Sequence, residues 1–117
     1  MDLKKIIELQ TLFDSEHKIK FNWNEKINEE NLNILQFLTI ALVGETGEFA
    51  NIVKKIIRGD KTLNESKNTL SSEMVDVFIY IIKLSYQLNI DLEKAFLEKL
   101  KENEIRFAKY KNNNDEI

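Results

Sequence analysis

Residues 74–84, MVDVFIYIIKL, place apolar side chains on nearly every face of whatever element they form. The stretch belongs to a run, from a cap at Asn64 or Ser66 to about Leu88, that is far longer than a usual strand of ~5–6 residues. A helix is therefore predicted despite the β-branched residues. A helix that is apolar all round has to be covered all round. A chain of 117 residues builds one hydrophobic core and has few other elements with which to do that. Burial by a second subunit is the expectation.

The rest of the chain is also helical in pattern. It contains no proline. Leu3, Ile6, Ile7, Gln10 and Phe13 keep a helical period, which predicts a short amphipathic helix over residues 2–15. The pattern is lost in HKIKFNWNEKI, a connector. Asn28, followed by Glu29 and Glu30, reads as the next helix start. That helix runs to Ile56 and Ile57, with Lys54, Lys55 and Arg58 in its last turn and Gly59 as its C-terminal cap. After the third helix, Asp91 is a cap for a fourth, which carries Leu92, Phe96, Leu100, Asn103 and Phe107 on one stripe. The predicted architecture is all-α: a four-helix bundle, oligomeric, formed by a single domain over residues 1–110 with a frayed tail at 111–117.

Several function classes fall away. Without cysteine there are no disulfides, thiolate nucleophiles or zinc–cysteine sites, and a lone His17 cannot build a multi-histidine centre. The net charge of −3 is spread over interspersed acids and bases, so no nucleic-acid partner is expected. KKIIR at 54–58 serves as the positive end of a helix. The N-terminus lacks the pattern of a signal peptide. The most apolar run, VFIYII, is much shorter than the ~20 residues of a membrane span. A cytoplasmic protein with no membrane partner is expected.

Within the second helix, GETGEF at 44–49 combines two of the chain's three glycines with Glu45 and Glu48 among residues that favour burial. Glycine costs about 1 kcal/mol in a helix interior, and such a local conflict marks a functional site. Glu45 and Glu48 are three apart and share a helix face; Glu73 and Asp76 repeat the spacing on the next helix. Residues 49–72 supply a helix end, a loop and the first turns of an antiparallel partner, enough to bring both pairs to one level. Two like charges ~6 Å apart repel by roughly 2.8 kcal/mol at an effective dielectric near 20. Either some acids stay protonated or cations sit between them. All-oxygen ligands point to Mg²⁺, with Mn²⁺ the alternative. A ferritin-like di-iron site needs Glu-x-x-His motifs, which His17 does not complete. The glycines would give clearance for a helix or ligand approaching the acidic face.

On the fourth helix Lys99, Asn103 and Arg106 border the apolar stripe and suit phosphate oxygens. Lys55 stands two turns from Glu48 and serves either the same cleft or the helix end. Phe21 and Trp23 are candidates for stacking on a base or for packing on the bundle end.

ALVGETGEFANIVKKIIRGD followed by SEMVDVFIYIIKLSYQLNIDLEKAFLEKLKENEIRF closely resembles the MazG-like nucleoside triphosphate pyrophosphohydrolases of the all-α NTP pyrophosphatase superfamily. The shared pattern is E-x-x-E, a spacer, E-x-x-D, then a helix ending in K-x-x-x-N-x-x-R, over roughly residues 31–107, and it is strongest toward small single-domain members similar to dCTP pyrophosphatase. The resemblance implies a homodimer or homotetramer of helical bundles that cleaves nucleoside triphosphates between the α and β phosphates with Mg²⁺, giving a monophosphate and pyrophosphate. By position, Glu45, Glu48, Glu73 and Asp76 match its metal-binding acids; in the hydrolysis this implies, whichever of Glu45 and Glu48 is less committed to metal would accept the proton of the attacking water. Lys99, Asn103, Arg106 and Lys55 match substrate-contacting positions. Gly44, Met74 and Val75 depart from the residues common in relatives and would reshape the pocket. Nucleotide-pool housecleaning follows by analogy. Two alternatives stay open: a non-catalytic helical adaptor that keeps the fold, and a hydrolase of a related phosphorylated nucleotide.

Overall fold

The computed structural model describes residues 1–17 and 24–112. Among them are four α-helices and no strand: α1 (Leu3–Glu16), α2 (Leu32–Arg58), α3 (Leu63–Gln87) and α4 (Leu92–Arg106), followed by a short 3₁₀ turn at Ala108–Tyr110. The expected element order and all-α class are both present. The fourth helix ends in the short turn, and residues 113–117 of the expected frayed tail lie outside the described residues.

The helix ends show what local chemistry sets them. The Asp2 side chain accepts from the Lys5 backbone N–H to start α1. Gly59 closes α2 in the left-handed region at φ 89°, where a side chain would be strained. Asp91 caps α4 through the Lys94 N–H, as expected. Two starts differ. Asn28 does not open α2; its carboxamide accepts from the Glu30 N–H in a turn, and the helix begins after Asn31. α3 begins at Thr62 rather than Asn64 or Ser66. Thr62 and Glu65 form a reciprocal capping box, each side chain accepting from the other's backbone N–H.

α2 and α3 pair as an extensive antiparallel hairpin; α1 packs on α3, and α4 touches α3 more sparsely. Among the described residues, Ile34, Leu38 and Ile82 are the buried apolar ones. The Cα radius of gyration is 18.3 Å, against ~13 Å for a compact domain of this size. α3 carries its polar residues inward: Lys83, Ser85 and Gln87 are buried, while Met74 and Val75 are 56% and 50% exposed. Ile40, Val43 and Ile57 of α2 and Phe96, Leu97 and Ile105 of α4 are exposed as well. One chain thus leaves uncovered the apolar circumference that the sequence predicts must be covered. No helix among the described residues is long and apolar enough to cross a membrane.

Candidate metal centre

The hairpin brings the two acidic pairs to one level. Glu45 of α2 and Glu73 and Asp76 of α3, all half-buried, each offer a carboxylate oxygen within 4.8 Å of the others'. Glu48 is exposed and stands outside this set of three. It nevertheless lies within hydrogen-bonding reach of both Glu45 and Glu73.

Glu45 is held above its ordinary pKa first by burial, then by the charges of Glu48 and Asp76, the Glu48 hydrogen bond and Glu73. Glu73 is raised by burial, then by Glu48 and Asp76. Every charge in these two accounts is negative. Glu45 Oε2 and Glu73 Oε2 are buried with no hydrogen-bond partner. A buried acceptor without a donor is costly. Hard oxygen donors that repel one another and lack protein donors are what a divalent cation satisfies, so these residues fit a metal ion.

The other expected site residues are placed less closely. Lys99 pairs at 4.0 Å with Glu102 on its own helix, and the Arg106 guanidinium lies 5.0 Å from the Phe107 ring centroid. Asn103 lines an open groove of about 760 Å³ with Leu100, Ile105 and Phe107. None of the three is among the groups that act on Glu45 or Glu73. Lys55 is half-buried near the end of α2. Phe21 and Trp23 lie outside the described residues. A Cβ added at Gly44 or Gly47 would meet nothing within 4 Å. The clearance expected of these glycines serves no part of this chain that the structure describes.

One cluster escaped the sequence reading. The Lys83 ammonium, 8% exposed, lies 2.7 Å from Oδ1 of Asp14, 1% exposed. Asp14 also accepts from Gln10 Nε2 at 2.9 Å and from the Tyr86 hydroxyl. The available signal was a charged residue inside an apolar run: Lys83 within IIKL and Asp14 after LF. Burial and hydrogen bonding to Asp14 raise the Tyr86 phenol far above its ordinary pKa. Tyr80 responds to acids of both clusters: its phenol is raised by burial, then by Glu45, Asp76 and Asp14.

Comparison with known proteins adds the lineage. The family model for the MazG nucleotide pyrophosphohydrolase domain matches residues 35–106, more than half of the chain and inclusive of all four acids. A stretch of 63 residues is 38% identical to the Gene 37 protein of Mycobacterium phage L5, covering 52% of this chain and 55% of that protein. The match thus spans about half the length of that relative. No solved structure matches the chain.

Proposed function

The chain belongs to the MazG nucleotide pyrophosphohydrolase domain family, and from that premise we propose that it hydrolyses (deoxy)nucleoside triphosphates between the α and β phosphates in a Mg²⁺-dependent reaction, Mn²⁺ serving as substitute. The observation that carries the reading is the convergence of Glu45, Glu73 and Asp76 with two buried, partnerless oxygens. These three residues would hold the cation. When bound, a divalent ion supplies positive charge to the triphosphate and its leaving group and lowers the pKa of water. Glu48, exposed at the rim and outside the set of three, takes the proton from the attacking water. A new P–O bond forms at a phosphorus of the α–β bridge as the bridging P–O bond breaks, and pyrophosphate departs from the monophosphate. The role is nucleotide housecleaning in the cytoplasm.

The test is a nucleotide panel incubated with and without Mg²⁺. Expected products are a nucleoside monophosphate and pyrophosphate, formed only with the metal. Orthophosphate in place of pyrophosphate, or turnover unchanged by Glu48→Ala, would sink the proposal. Tight nucleotide binding without turnover would instead favour an adaptor.

Lys99, Asn103 and Arg106 are proposed to contact phosphates, and Lys55 and Trp23 the rest of the nucleotide, in a homodimer or homotetramer. The sparse contact of α4 with α3, and the absence of Lys99 and Arg106 from the groups that act on Glu45 and Glu73, support a site completed by a second copy, whose helices would also cover the exposed apolar faces. Two inactive variants, Glu45→Gln and Arg106→Ala, should then regain activity on mixing. Random exchange between dimers gives half heterodimers with one intact site each, so recovery to about a quarter of wild type is expected. No recovery would mean that each chain completes its own site.

A further inference from the structure

Leu100, Asn103, Glu104 and Phe107 follow one another at three- and four-residue spacing, the spacing of one helix face. All four line the open groove of about 760 Å³ at the end of α4, and Lys111 joins them from beyond the 3₁₀ turn. Small-molecule sites occupy roughly 300–1,000 Å³, mostly apolar with a few polar groups. The backbone of Phe107 is fixed on both sides: its N–H donates to the Asn103 carbonyl at 2.9 Å, and its carbonyl accepts from the Tyr110 N–H at 2.9 Å. Its ring stays 45% exposed. The Arg106 guanidinium lies 5.0 Å from the ring centroid, and the Tyr110 ring stands 6.3 Å away at a tilt of 40°.

The lining chooses among occupants. An aromatic ring beside a carboxamide, a carboxylate and an ammonium suits a flat heterocycle, which can stack on the first and hydrogen-bond to the others. Glu104 makes the groove a poor seat for a phosphate, by like charge. The phosphates have their own place nearby: Asn103 and Arg106, proposed to contact them, stand one turn and one residue before Phe107. A nucleotide whose phosphates reach these two residues brings its base within reach of the ring. We propose that the groove is the nucleobase subsite of this enzyme and that Phe107 is the residue on which the base stacks. The inference rests on the reading of the chain as a nucleoside triphosphate hydrolase. Every base offers a π face, so stacking on Phe107 adds affinity for all of them without choosing among them.

The test is steady-state kinetics of the full chain with the common deoxynucleoside triphosphates and Mg²⁺. Inorganic tripolyphosphate, which has the phosphates and no base, serves as competitive inhibitor. Phe107→Ala should raise KM about tenfold for every base, within the range of base–aromatic stacking, with kcat unchanged, the pattern of lost uniform binding. The Ki of tripolyphosphate should stay within about twofold of wild type. Phe107→Trp keeps a ring and should hold KM within about threefold of wild type, whereas Phe107→Leu keeps the bulk alone and should match Phe107→Ala. Circular dichroism checks the fold, and if Phe107→Ala does not fold, Phe107→Leu carries the test. A wild-type KM in Phe107→Leu would mean that the side chain only fills space. KM and Ki rising together would mean that packing or assembly was lost. Either result overturns the subsite, as does a KM raised for one base alone. If wild type turns over no nucleotide, the functional reading fails and the subsite with it. If wild type is active and KM is unchanged in Phe107→Ala, the subsite alone fails.

Discussion

Glu45→Gln is expected to abolish metal-dependent turnover and at the same time to raise the melting temperature of the metal-free protein. Glu45 is the only member of the cluster contributed by α2, facing Glu73 and Asp76 across the hairpin. Losing it opens one side of the cradle. The rate should fall at least on the order of 100-fold, since even groups behind a metal ligand cost 10–100-fold. The same substitution removes a carboxylate held above its ordinary pKa by burial and by three like-charged neighbours. The carboxamide keeps the shape, carries no charge, and its N–H₂ can donate to Glu48. Stability gained by disabling a residue is the signature of a site kept for function at the fold's expense. Thermal melting in chelator together with a pyrophosphate-release assay reads both effects. Unchanged turnover, or a lower melting temperature with the fold otherwise intact, would contradict the assignment.

Acidity should separate the metal-free and metal-loaded states. Glu45 and Glu73 have folded-state pKa values raised above the ordinary 4.5. The folded state therefore holds protons that the unfolded state has released, and stability falls as the two groups are forced to ionise. Their favourable contribution is complete below pH 4.5 and is lost as pH rises through the raised values. In chelator the melting temperature is expected to be higher near pH 5 than near pH 8. A cation at the cradle prefers the ionised carboxylates, so saturating Mg²⁺ should flatten or reverse that slope. Ligand at 100 times its dissociation constant adds about 2.7 kcal/mol, or roughly 10 °C for a domain of this size. Melting curves at both pH values, with and without Mg²⁺, decide the matter. A metal-free curve that rises with pH would show that other groups dominate.

The parts of this molecule legible in its sequence are those set by neighbours a few residues apart. The i, i+3 acids needed only helical periodicity, and Gly59 and Asp91 announced their caps through conformational preference and side-chain chemistry. Where several residues compete for one role, the reading slipped. Thr62, Asn64 and Ser66 can all cap, and the choice fell to Thr62 because Glu65 completes the reciprocal bond. Asn28 and Asn31 compete likewise; Asn28 closes a turn instead, with its N–H donating to Asn31 Oδ1 at 2.6 Å. The Asp14–Lys83 pair joins positions 69 residues apart, and each looks like a surface charge until α1 is laid on α3. The sparse contact of α4 is equally non-local: its stripe of Phe96, Leu100 and Phe107 shows that it packs, without showing on what.

If the proposed assembly forms, the outward apolar side of α3 turns concentration into a variable of the chemistry. Under the proposed assembly, Met74 and Val75 find cover only when two copies meet, and the phosphate-binding helix reaches the acids in the same event. Folding, cover and catalytic competence would then share one association constant, so specific activity should decline on dilution instead of staying fixed per molecule. A cell making little of this protein would hold mostly idle copies, and expression level would act as a threshold for nucleotide cleavage.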